Sequence, residues 1–203
     1  MPNSQRFKPT YILIAMNVAF YIYTSVAGGD FLTTSYPMLE QYGQVNKLVI
    51  YSGYYYQLFT SLFVHADITH IVGNMLFLFI FGLRGEELFS LPEYLAVYFV
   101  GGLSGNVLSL FLLPTNTVSV GASGAIFALF GASVVYARRS VSQSIVGALI
   151  YAFFLLFISA GVGVNIFAHI GGLVAGLLIG YVLAVRRKPE TRYTVRYSYS
   201  AFP

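Results

Sequence analysis

Five polar side chains stand inside strongly apolar stretches of this chain: His70, Asn74, Asn106, Ser123 and His169, with His65 just ahead of the first. Ser123 occurs in Gly121-Ala122-Ser123-Gly124, at the opening of a helical pattern. A helix N-terminus offers N–H groups without intrahelical partners and the positive end of the dipole, both suited to an oxyanion. The flanking glycines permit a tight turn and close approach of a substrate. His169 follows in Ala168-His169-Ile170-Gly171-Gly172. A serine hydroxyl and an imidazole about 2.6–3.2 Å apart make a nucleophile and its general base. His70 and Asn74 are one helical turn apart and so face the same region. A single histidine in an apolar helix usually serves as an interhelical hydrogen-bonding group. The chemical reading therefore depends on whether the helices bring these residues together.

The composition says where those helices lie. Of 203 residues, 57% are hydrophobic and 9% charged, against about 25% charged in an ordinary soluble domain. In water such a chain would expose apolar patches beyond what soluble monomers tolerate, so a polytopic membrane domain is expected. A nucleic-acid-binding module is excluded despite the net charge of +4. The absence of cysteine removes disulfides, thiolate metal sites and thiol nucleophiles. Three histidines without suitably spaced acids give no metal site, and no cofactor is expected. No Asp or Glu falls within an apolar stretch, which argues against an ion or proton path.

Six spans are expected, at about 11–27, 69–82, 93–113, 122–139, 145–159 and 166–185. A half-polar stretch at 28–66, expected at the membrane interface, separates the first two. The first run is longer than a usual signal-peptide core, so it is read as a span. With the N-terminus in the cytosol, ten of the eleven Lys and Arg residues are cytosolic and only Lys47 is outside. This divides the chain into a cytoplasmic N-terminus (1–10), a six-span domain (11–185) and a basic, aromatic cytoplasmic tail (186–203).

Depth then relates the polar residues. Ser123 lies 15 residues before Arg138 and His169 lies 17 before Arg186, or about 22 and 25 Å of helix. On parallel spans the two sit at one height, below the outer surface, with His70 and Asn74 in the same layer. The sixth span carries Ala168, Gly172, Gly176 and Gly180 at every fourth position, and the fourth span is rich in Gly and Ala. Such small ridges let helices pack closely in lipid. Gly180, farther toward the cytosol, is expected on a neighbouring ridge and of less consequence than Gly176.

Together these residues resemble the rhomboid family of intramembrane serine proteases, over residues 11–185. His65-Ala66-Asp67-Ile68-Thr69-His70-Ile71-Val72-Gly73-Asn74 is similar to the family's His-x4-His-x3-Asn. Gly121-Ala122-Ser123-Gly124 is similar to its Gly-x-Ser-Gly, and the run from Ala168 to Gly176 to its Ala-His-x2-Gly-x3-Gly. The resemblance implies an all-α, six-transmembrane-helix bundle that cleaves membrane proteins in the lipid bilayer without metal or cofactor. It implies Ser123 as nucleophile, His169 as general base and acid, and His70, Asn74 and the Ser123 N–H as oxyanion donors. His65 and Glu86 would be structural, with Gly121, Gly124, Gly172 and Gly176 supporting the site and a lid at 160–165 covering it. Phe127 stands where many members have a tyrosine stacked on the histidine, and Tyr56-Gln57 replaces a frequent Trp-Arg. A cell-membrane location, both termini cytoplasmic and an active site toward the outer side follow. The alternative is an inactive rhomboid-like protein that binds membrane clients.

Overall fold

A proline at the first helical position is pre-set for the helix and lacks the N–H that would go unpaired there, and α1 (Pro9–Gly28) starts on it. The next N–H, of Thr10, is accepted by Glu86 Oε1 at 2.9 Å. α5 (Ile68–Leu88) opens on Asp67, whose carboxylate accepts the His70 N–H at 2.8 Å. α6 (Leu91–Leu112) opens on a capping box in which Glu93 reaches back to the Ser90 N–H at 2.7 Å. α7 (Ser123–Val141) begins at the serine itself. The last described helix, α8 (Ile166–Arg186), is capped by Asn165, which accepts the Ala168 N–H at 3.0 Å.

The computed structural model describes residues 8–141 and 164–187. The expected fifth span at 145–159, the loop at 160–163 and the tail from 188 lie outside the described residues, as do residues 1–7. Within them α1, α5, α6 and α8 are long and apolar enough to cross a membrane, and α7 has a shorter apolar core, Ser123–Ala137. The chain is an all-α membrane bundle. Val72, Leu76 and Ile80 on α5, and Val174, Leu178 and Val182 on α8, form exposed apolar stripes at four-residue spacing, as lipid contact requires.

α7 is the central helix. Ala122, Ala125, Ile126, Phe127, Ala128, Leu129, Phe130 and Ala132 are all buried, among α5, α6 and α8. Its contact with α8 is backbone to backbone. A side chain at Gly172 would strike the Gly124 carbonyl, and one at Gly176 the Ala128 carbonyl. Gly180 has the same place one turn on, where a Cβ would come within 2.6 Å of Ala132 Cα. The expectation that Gly180 lies on a neighbouring ridge is thus corrected. Residues spaced by four form one inclined ridge along a helix, and all three glycines of this ridge stay against the backbone of α7. On the third face of this packing, Gly105 of α6 abuts the Ala168 carbonyl.

Some boundaries differ from expectation. α5 continues past residue 82 to Leu88, since Arg84, Glu86 and Glu87 extend to the interface while their backbone stays helical. Residues 28–66 form structure of their own: α2 (Tyr36–Tyr42), β1 (Gln44–Val45), α3 (Asn46–Ser52) and α4 (Gln57–Thr60). β1 pairs antiparallel with β2 (Val118–Ser119), Gln44 opposite Ser119, just before the Ser123 turn. These two-residue strands leave the all-α class intact.

Candidate active site

The close approach of α7 and α8 brings Ser123 and His169 into contact, with Ser123 Oγ 2.7 Å from His169 Nε2. His169 is buried, and its ring stacks on Phe127 at 4.7 Å between centroids and an interplanar angle of 27°. Phe127 is one turn along α7 from Ser123, so one helix supplies both the hydroxyl and the wall that orients the imidazole.

The turn into α7 is made by Gly121, whose φ of +118° is open to glycine and strained for other residues. Its α-hydrogen side faces His70: a Cβ there would lie 2.7 Å from His70 Nε2 and 3.9 Å from Asn74 Oδ1. The Gly121 N–H donates to the Ser61 carbonyl at 2.9 Å, which fixes the turn from the first loop. The α5 residues His70 and Asn74 therefore flank the backbone two positions ahead of Ser123. Asn74 uses one amide N–H on its own helix, to the His70 carbonyl at 2.9 Å, and its amide has a second. The first N–H groups of α7, which begins at Ser123, have no acceptor within their own helix.

His65 lies behind this layer. It is fully buried, with Nδ1 3.3 Å from the Phe63 carbonyl and its ring edge-on to His70 at 5.1 Å. Burial, and next the nearby His70 ring, push its pKa down to about 3, so it is neutral. The Thr34 hydroxyl donates to the His65 carbonyl at 2.7 Å, and Thr33 and Asp67 form an isolated antiparallel bridge. Asp67 is held below the usual carboxylate range chiefly by the Thr69 hydroxyl, 2.5 Å away. Glu86 is at the opposite end of α5, against α1.

Sequence reasoning singled out Asn106 and Gln57 but not their partners, and it missed the other buried amides and hydroxyls around this core. Asn165 Nδ2 donates to Ser109 Oγ at 2.5 Å and Ser119 Oγ at 2.8 Å. Asn106 donates to the Leu58 carbonyl and Ser61 Oγ, at 2.8 and 2.9 Å. Gln57, in place of the frequent arginine, is fully buried; its Oε1 accepts the Val45 N–H at 3.0 Å and its Nε2 donates to the Glu40 carbonyl at 2.7 Å. An asparagine just before an apolar helix was a readable cap signal. Its serine partners were not readable, being more than forty residues away in sequence.

A serine–imidazole hydrogen bond at the head of a central helix, in a bundle of apolar helices, marks a polytopic membrane protein. A family model for the rhomboid domain matches residues 52–186, and the chain belongs to the rhomboid family. It is 35% identical over 163 residues to RHOMBOID-like protein 6, mitochondrial, of Arabidopsis thaliana, covering 77% of this chain and 53% of that one. It is 33% identical over 154 residues to Putative rhomboid protease YdcA of Bacillus subtilis (strain 168), covering 72% and 75%. Rhomboid protease GluP of the same bacterium is 28% identical over 188 residues, covering 89% and 36%. The chain spans about half the length of the plant relative.

Proposed function

We propose that the chain is an intramembrane serine endopeptidase that cleaves peptide bonds in or near the transmembrane segments of other membrane proteins. The observation that carries this reading is the 2.7 Å contact between Ser123 Oγ and His169 Nε2. Two of the bacterial relatives carry the name rhomboid protease, which supports it.

In this mechanism the Ser123 hydroxyl donates its proton to His169 Nε2 as the oxygen attacks the scissile carbonyl. The carbonyl oxygen becomes an oxyanion held by His70, the second Asn74 N–H and the Ser123 backbone N–H. His169 then protonates the leaving amine, and a water molecule, deprotonated by the same ring, releases the acyl group. Phe127 holds the ring plane. Glu86, by capping α1, and His65, behind His70, are structural. The substrate enters from the bilayer and unwinds locally, because helical peptide bonds are shielded. Lys and Arg placement supports a cell-membrane protein with cytoplasmic termini and the site toward the outer side.

The test is serine-directed labelling with a fluorophosphonate, alongside cleavage of a transmembrane substrate, in detergent. Labelling and cleavage should both vanish in Ser123→Ala, and cleavage in His169→Ala. His70→Ala and Asn74→Ala should each retain some activity, with losses of about 10²–10³ typical for one oxyanion donor. A folded wild-type chain that neither labels nor cleaves would indicate instead a rhomboid-like protein that binds membrane clients.

A further inference from the structure

Ser123 and His169 lie on different helices, yet each is four residues beyond a member of one hydrogen-bonded cluster. Ser119, four before Ser123, is buried on β2, and Asn165, four before His169, is the residue that starts α8. The Asn165 amide binds three ways. Its Oδ1 accepts the Ala168 N–H at 3.0 Å, which fixes the first turn of α8, and its main-chain carbonyl accepts the His169 N–H at 3.4 Å. Its Nδ2 has two N–H groups and two acceptors, Ser119 Oγ at 2.8 Å and Ser109 Oγ at 2.5 Å. Ser109, fully buried on α6, lies 3.4 Å from Ser119 oxygen to oxygen. The start of the histidine helix is therefore bolted to the strand that delivers the serine, with α6 as backing.

We propose that Asn165 is a positioning residue for the reaction: its amide sets the Ser123–His169 distance by tying the N-terminus of α8 to Ser119 and Ser109. This rests on the protease reading. Glycine packing along α7 and α8 fixes how closely the helices approach, and Arg187 ties the far end of α8. Asn165, bonded both to its own helix and across to two other elements, fixes the near end. It does so one turn from the imidazole, where the smallest shift reaches Nε2.

Four variants separate this from a plain capping role. Asn165→Ser keeps an oxygen for the Ala168 N–H but is too short to reach both serines. Ser119→Ala keeps the cap and removes an acceptor. At matched folded fraction each should lower kcat about ten- to hundredfold with KM little changed, as about 1 Å of misplacement does. The double variant Asn165→Ser/Ser119→Ala should fall no further than the worse single, since both break one link. Asn165→Asp retains the cap and accepts from the two hydroxyls after they rotate, so it should recover kcat to within about threefold of wild type. Unchanged kcat in both Asn165→Ser and Ser119→Ala would overturn the proposal, as would Asn165→Asp no better than Asn165→Ser. The ¹⁵N shift of His169 Nε2 reads the hydrogen bond to Ser123 without proteolysis. It should move in Asn165→Ser and Ser119→Ala and return in Asn165→Asp; no movement overturns the tether. A wild-type chain without Ser123-dependent cleavage would remove the protease reading alone, and this shift would still decide the tether.

Discussion

His65 is ionisable, fully buried and neutral, and that combination has a pH signature of its own. Its pKa is lowered from 6.5 to about 3, first by burial and then by the His70 ring. Between those two values the unfolded chain binds a proton that the folded chain refuses. The contribution to stability is complete above about pH 6.5 and falls as pH drops, by up to about 1.4 kcal/mol per unit, until about pH 3. Asp67 also has a lowered pKa, but as a carboxylate it weakens the fold only below its ordinary value of 3.8. The window between pH 6.5 and 4 therefore belongs to His65 more than to Asp67. His65→Gln should lower the unfolding midpoint at pH 7.5, through lost packing, and flatten its decline between pH 6.5 and 4. Midpoints measured in detergent across that range check it; curves that run parallel for the two proteins would exclude His65 as the titrating group.

At the scale of the elements, the α7–α8 contact decides whether the site exists. Gly172 meets the carbonyl of Gly124, the residue next to Ser123, and Gly176 meets that of Ala128. Both partners are backbone and cannot swing aside. Gly176→Val should therefore separate the helices, cut cleavage about a hundredfold or more at matched folded fraction, and leave some folded protein, since overpacking typically costs about 1–3 kcal/mol. Gly180→Val should also destabilise, because a Cβ there would still lie 2.6 Å from the Ala132 backbone, while costing less activity: it is 11 residues, about 16 Å of helix, from His169. Equal activity losses in the two variants would show that the helices part as rigid rods. This contact was legible in the sequence because small residues at every fourth position have one physical meaning in lipid, and matched depths related Ser123 to His169. The ridge assignment of Gly180 failed because residues at four-residue spacing make one continuous ridge, which stays on α7 as far as Ala132. The first loop was illegible for a different reason. Its short helices are held by single buried amides whose partners lie far away in sequence, and no periodicity announces such pairs.

Across the whole molecule the bundle is closed differently at its two ends. At the end away from the site, Arg187 joins Glu93 at 2.6 Å, the Leu88 carbonyl at 2.9 Å and the Tyr136 hydroxyl, tying α8 to the α5–α6 turn and to α7. These groups are partly exposed, where one ion pair contributes little, roughly 0–1 kcal/mol. At the site end the closure is buried and uncharged. Asn106 of α6 holds the Leu58 carbonyl and Ser61 Oγ, and the Ser61 carbonyl in turn holds the Gly121 N–H of the serine turn. Gln44 adds a bond from β1 to the Asn106 carbonyl at 3.1 Å. Asn106→Leu, close in volume, would take the amide donor from the Leu58 carbonyl and the Ser61 hydroxyl and leave them only the 3.5 Å bond from that hydroxyl to that carbonyl. Losing buried amide bonds costs about 1–3 kcal/mol, so the unfolding midpoint should drop by several degrees. Because Ser61 is also the support of Gly121, cleavage should fall beyond what the lost folded fraction explains. Phe111→Leu, on the same helix but 78% exposed toward lipid, is the matched control and should change neither quantity measurably. Thermal midpoints and cleavage rates of the two variants, measured side by side in detergent, decide the matter. If Asn106→Leu unfolds at the wild-type temperature with the wild-type rate, the buried amides of the first loop are dispensable and the helices alone hold the serine turn in place.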